Sequence, residues 1–156
     1  HKESKYIQNE KIISKIVKLE EEMKISNLKT YKSFSEKIEQ NRDSLKKFID
    51  KEKKIGKRIC GLGASTKGNV ILQYCELGPE DIEVIGDVNL DKHGTVTPGT
   101  WIPIQSEESV LASNPDNLII LPWHFKDFFI KSKKFIDRKL ITPLPRLQIF
   151  YPKKNN

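Results

Sequence analysis

The chain opens with helical periodicity. From Lys2 to about Lys24, Tyr6, Ile13, Ile16, Val17 and Leu19 recur at roughly helical spacing among Lys and Glu, with Ile7 and Ile12 blurring the phase. This predicts a first amphipathic helix. Ser26-Asn27 interrupts with cap-type residues, after which Tyr31, Phe34, Ile38, Leu45 and Phe48 form a cleaner stripe at steps of three, four and seven residues. A second helix is expected from about Leu28 to Lys54. Both stripes need cover, from the rest of the chain or from a domain upstream, and they are too short to require a free coiled coil.

After Gly56 the pattern becomes short apolar runs alternating with helical ones, which predicts strand-helix-strand units and a mostly parallel sheet. The expected strands are Arg58 to Leu62, Glu83 to Val88, Asn117 to Leu121 and Leu147 to Tyr151. The expected helices are Thr66 to Leu77, closed by Gly78-Pro79, then Glu107 to Ala112 capped by Ser106, and about Phe125 to Arg138. A Gly- and Pro-rich stretch, Asn89 to Pro103, reads as a long loop. The fold class is therefore α/β and Rossmann-like: residues 1–55 form a helical extension of two amphipathic helices, and residues 56–156 form the sheet domain flanked by helices.

Composition narrows the functional classes. The 156 residues carry a formal charge of +7, but Lys is spread along the chain and interleaved with Glu, as on solvated helix faces. No basic run is interleaved with aromatics, so a nucleic-acid partner is not expected. The positive field suits a small anion such as a pyrophosphate. Cys60 and Cys75 have neither Cys-x-x-Cys spacing nor a nearby His, and read as core residues rather than a disulfide or a metal site. With no apolar run of about 18 residues and no signal peptide, no membrane partner is expected, and a cytoplasmic location is. The first residue is His1, so the chain is expected to begin mid-protein or after a removed tag.

The candidate chemistry sits in loops. Gly61-Leu62-Gly63-Ala64-Ser65-Thr66-Lys67-Gly68-Asn69 lies between the first expected strand and its helix, where an α/β sheet binds phosphate. Gly61 and Gly63 allow a tight turn and close approach of a ligand; Ser65 and Thr66 offer hydroxyls and N–H groups; Lys67 adds a charge. Thr66 stands where the dinucleotide fingerprint has its third Gly, and Lys67-Gly68 has the wrong spacing for a P-loop. A glycine turn needed only for strand-helix packing is the structural alternative. Asp87, about 25 residues beyond the glycines, lies near the position of ribose-binding acids, with Asn89 beside it, although an Asp after a strand also forms turns. Lys92-His93-Gly94 and Thr97-Pro98-Gly99-Thr100 are expected over the same carboxyl edge of the sheet. Trp123 can stack on a base or sugar, and His124 can donate to a phosphate or hydroxyl or simply cap a helix. No acid is evidently placed to orient His124 as a general base.

These loops resemble the C-terminal domain of the sugar C-methyltransferases, which act on nucleotide-linked deoxyketosugars. The likeness covers about Gly56 to Tyr151 and rests on four motifs in order: Gly63 to Asn69, Asp87 to Lys92, Thr97-Pro98-Gly99-Thr100 with Ile102-Pro103-Ile104, and Leu121-Pro122-Trp123-His124-Phe125. The resemblance implies an intact enzyme with a cysteine-rich zinc-binding part and a central domain that binds S-adenosylmethionine (SAM) upstream of this one. The nucleotide-sugar would lie between the last two domains. It implies proton removal alpha to the sugar ketone and attack of the enolate on the SAM methyl, with the base and SAM held mainly outside this chain. Ser65, Thr66, Lys67, Asn69, Asp87, Lys92 and His124 become candidate contacts to the nucleotide-sugar, and no catalytic residue is assigned. Two other readings stay open. One is a free-standing nucleotide-binding or regulatory module for NAD or coenzyme A; the other is a structural piece serving oligomer contacts through the long helices.

Overall fold

The computed structural model describes residues 8–153; Tyr6 and Ile7 of the first apolar stripe lie outside them. The chain divides into two compact units, one ending at Glu39 and one running from Gln40. In the first, helix α1 spans Glu10–Glu22. It starts later than the periodicity suggests because Asn9 caps it, its side chain accepting from the Ile12 amide at 3.1 Å. No residue of α1 is buried, and Ile12, Ile16, Val17 and Leu19 are all exposed. Helix α2, Leu28–Lys54, occupies its expected span. Within the second unit its Leu45, Phe48 and Ile49 are buried.

The second unit is built on a six-stranded sheet: β1 Ile59–Leu62, β2 Ile85–Asp87, β3 Ile104–Ser106, β4 Asn117–Ile120, β5 Leu140–Thr142 and β6 Gln148–Phe150. The spatial order is β3-β2-β1-β4-β5-β6, parallel throughout except that β6 runs antiparallel to β5. Helices cover both faces, so β1 and β4 are buried along their whole length and read as unbroken apolar runs. Side chains alternate between the two faces. Ile59, Ile119 and Ile141 pack with α2 and with Ile71 and Leu72 of α3, Thr66–Tyr74. On the other face Cys60, Leu62, Leu118, Ile120 and Leu140 pack with α4, Glu107–Ala112, and with Phe129 of α5, Lys126–Lys131.

Three expectations are corrected. Strands β3 and β5 have no counterpart among the expected strands, because three-residue strands beside Pro103 and Pro143 carry too little periodicity. The last helix does not run to Arg138. It stops at Lys131, because Ser132 is extended (ψ 128°) and caps a separate 3-10 turn, Lys133–Phe135. Helix α3 ends at Tyr74, before Gly78-Pro79, and Glu76 takes the left-handed conformation (φ 54°). No helix among the described residues is long and apolar enough to cross a membrane.

Candidate functional site

Strands β1 and β4 pair side by side, and the chain leaves their carboxyl ends toward opposite faces of the sheet. The crevice at those ends is where open α/β sheets bind ligands. The glycine turn stands there because local chemistry requires it. Gly63 has φ +76°, and a Cβ on it would lie 2.8 Å from the Pro122 ring that follows β4. Gly61 is different: it is buried inside β1, and the space of its missing Cβ is held by Ile85 at 2.8 Å. Gly68 does the packing work of the absent third fingerprint glycine. A Cβ there would approach Leu121 Cβ to 2.7 Å, so it lets α3 lie close on the sheet.

The turn's amides are mostly engaged. Gly63 N donates to Gly86 O at 2.7 Å, Ser65 N to Gly63 O at 2.8 Å, and Gly68 N to Ser65 Oγ at 3.0 Å. Ser65 is thus the N-cap of α3, and its N–H is not free as the sequence suggested. Among the described residues the Thr66 and Lys67 amides have no acceptor. Thr66 and Lys67 are both exposed, and the Lys67 ammonium meets no carboxylate among the described residues. Asn69 lies two positions further into α3, its side-chain oxygen buried and accepting nothing among the described residues. A helix whose first turn holds a lysine and no acid is electrostatically unfavourable by some tenths of a kcal/mol, which a bound anion would relieve.

Asp87 at the end of β2 locks this turn. It is 6 % exposed; Oδ2 accepts from Ala64 N at 2.7 Å and Lys92 Nζ at 3.1 Å, and Oδ1 from Asn89 N at 2.8 Å. Lys92 also donates to Ala64 O at 2.9 Å, and His93 Nε2 lies 2.8 Å from Asp87 O. A carboxylate has about four acceptor positions, so about one remains on Asp87 for a ligand. Lys92 points inward as a clamp rather than outward as a free charge. The sequence motif held both residues, but not their bond.

Beyond β4, Trp123-His124-Phe125 form a 3-10 turn. Trp123 packs partly against the α2–α3 side of the core, and His124 is exposed, its ring 5.6 Å from Trp123 and 4.2 Å from Phe125. The loop Thr97 to Thr100 does not join this edge. From Gly94 the chain pairs back along β3, with Thr95 O accepting from Ile104 N at 2.9 Å, and turns at the opposite edge beside the end of α3. There Gln73 Nε2 donates to Pro98 O at 2.9 Å. The buried Thr97 and Thr100 hydroxyls bond each other at 2.6 Å, a structural role.

A cleft of about 470 Å³ opens beside Gly63 and Asp87 on the α4–α5 side, walled by Val88, Pro122, Phe125 and Phe128. Its other carboxylate, Glu107, is buried and bonded by Lys134, which it holds above the usual lysine range. These aromatic walls were missed in the sequence; Phe125 and Phe128, three apart and followed by Phe129, were the available signal.

The chain matches the family described as the C-methyltransferase C-terminal domain over residues 1–145. It is also similar to C-methyltransferase NovU of Streptomyces niveus, 30% identical over 122 residues that make up 76% of this chain and 29% of that relative. The match over most of its length, on a Rossmann-ordered sheet with the glycine turn at its crevice, makes this chain a member of the C-methyltransferase C-terminal domain family.

Proposed function

We propose that this domain binds the nucleotide-linked sugar of a SAM-dependent sugar C-methyltransferase, which in the intact enzyme is methylated at a carbon alpha to its ketone. The observation that carries the reading is the first turn of α3. Among the described residues the Thr66 and Lys67 amides and the Lys67 ammonium have no partner, and they stand at the start of the helix that follows β1. This arrangement suits the diphosphate of a nucleotide-sugar. Ser65, Asn69, Asp87 and His124 stand around it as candidate hydrogen-bonding groups. Asp87 and Lys92 act mainly by holding the turn.

SAM supplies the methyl group in such an enzyme, but the residues here do not fit it. Its sulfonium and ammonium are cationic, whereas the turn presents the Lys67 ammonium, and the adjacent carboxylate Asp87 already accepts three hydrogen bonds, one of them from Lys92. In this reading the methyl donor and the base that removes the sugar proton are held mainly outside this chain, as the family resemblance implies, and this chain's part is to bind and orient the sugar donor. The test is calorimetric titration of the full chain with thymidine diphosphate, SAM and NAD. The diphosphate should bind, with SAM and NAD silent. Lys67→Ala should weaken it by about 1–3 kcal/mol, the worth of charge-assisted hydrogen bonds. Binding of SAM or NAD instead, or of none of the three, would overturn the reading.

A further inference from the structure

From the cleft beside Gly63 we infer a second half of the site: a stacking pocket for the flat heteroaromatic base of a nucleoside diphosphate, between Val88 and the rings of Phe125 and Phe128. This rests on the diphosphate reading above, because Gly63 belongs to both the phosphate turn and the cleft. The volume, about 470 Å³, lies in the range of small-ligand pockets.

The walls have the chemistry of a ring-binding slot. Val88, Phe125 and Phe128 are 73 %, 58 % and 67 % exposed, and all three line the cleft. Beneath them Phe129 and Phe135 are buried and fixed by ring contacts: Phe128 to Phe129 at 5.5 Å between centroids, and Phe129 to Phe135 at 5.3 Å. Phe128, standing on this buried aromatic base, keeps its position at low entropic cost, and with Phe125 and Val88 it gathers three exposed apolar side chains around one cleft, which marks a site rather than scattered surface apolar residues.

Charge decides which part of the ligand enters. The two carboxylates that reach the cleft, Asp87 and Glu107, are each buried and each matched by a lysine, Lys92 and Lys134. The cleft therefore offers no uncompensated cation for a phosphate. Lys67, whose charge is unmatched among the described residues, lies on the turn outside the cleft lining. A ligand with an anionic middle and a neutral planar end fits this division, with phosphates at the first turn of α3 and the base between Val88 and Phe128. The cleft also lies beside Asp87, so the sugar linking base to phosphate would pass the one acceptor position that Asp87 keeps.

The experiment compares thymidine diphosphate, inorganic pyrophosphate and SAM by titration against the full chain and its Phe128→Ala and Val88→Ser variants. Both residues are exposed, so the variants should keep the thermal unfolding midpoint of the parent. Phe128→Ala should weaken thymidine diphosphate about tenfold or more, the worth of one base–aromatic stack, and Val88→Ser less, while pyrophosphate is unchanged. If thymidine diphosphate binds all forms equally, or no tighter than pyrophosphate, the base lies elsewhere. The stacking pocket is then wrong while the diphosphate reading stands. If SAM binds and loses affinity in Phe128→Ala, the cleft takes the methyl donor and both readings fall; absence of diphosphate binding to the parent overturns both as well.

Discussion

The two edges of the sheet treat charge in opposite ways. At the amino edge Lys53, Lys57, Arg58 and Lys139 each meet a carboxylate: Asp81 at 2.5 Å, Asp116 at 2.6 Å, Glu83 at 2.8 Å and Glu52 at 2.9 Å. At the carboxyl edge the buried acids Asp87 and Glu107 take one lysine each, Lys67 is left unmatched among the described residues, and Val88, Phe125 and Phe128 stay exposed. The amino edge neutralises itself and asks for no ligand. The carboxyl edge combines an unfavourable lysine at a helix start with uncovered rings, two local costs that a flat anionic ligand would remove together.

The largest effect should come from the lock at the carboxyl edge. Asp87→Ala leaves the buried Ala64 amide without its acceptor and strips Lys92 of its carboxylate. Leaving such donors unmet should cost about 2–3 kcal/mol in denaturant unfolding. Because Gly63 to Thr66 lose their anchor, thymidine diphosphate binding should vanish as well. A variant that loses stability but binds normally would show that Asp87 serves the fold alone.

How much of this could be read from sequence depended on range. Helix α2 showed itself because a stripe from Tyr31 to Phe48 repeats over many turns, and β1 and β4 because burial on both faces leaves unbroken apolar runs. The glycine turn was legible because φ +76° at Gly63 needs that residue. What stayed hidden depends on partners distant in the chain. Lys92 looks like a free ligand until Ala64 and Asp87 are seen to hold it, and Gly68 looks incidental until Leu121 is found against it. Thr97 to Thr100 reads as part of the carboxyl edge because strand β3, which returns the chain from the opposite edge, is only three residues long.

An intermediate effect tests the self-neutral edge by pH. Glu52 is buried, which by itself raises its pKa; the Lys139 ammonium at 2.9 Å outweighs that and holds it below the ordinary glutamate value. A carboxyl with a depressed folded pKa contributes stability above its unfolded value, about 4.3, and the contribution is lost as pH falls through the folded value. Glu52→Gln should cost about 1–2 kcal/mol at neutral pH. It should also flatten the loss of stability on acidification below about pH 4, with ligand affinity unaltered. Parallel acid profiles for parent and variant would break the assignment.

The smallest effect is the most discriminating. Arg58→Ala removes one positive charge from the amino edge, as Lys67→Ala does from the carboxyl edge, so the pair compares equal charge at different places. Arg58 bonds Glu83 through Nε and Nη2 and donates to Ser113 O at 2.7 Å, but its side chain is 44% exposed, and such pairs contribute under about 1 kcal/mol. At physiological salt, charges are screened over about 8 Å, so a cation at the far edge of the sheet should leave thymidine diphosphate affinity within about twofold of the parent. If Arg58→Ala weakens the diphosphate as much as Lys67→Ala, the domain attracts its ligand through net charge alone. The contrast between the edges would then carry no binding information. If only Lys67→Ala does so, the first turn of α3 is the contact, and net charge is a bystander.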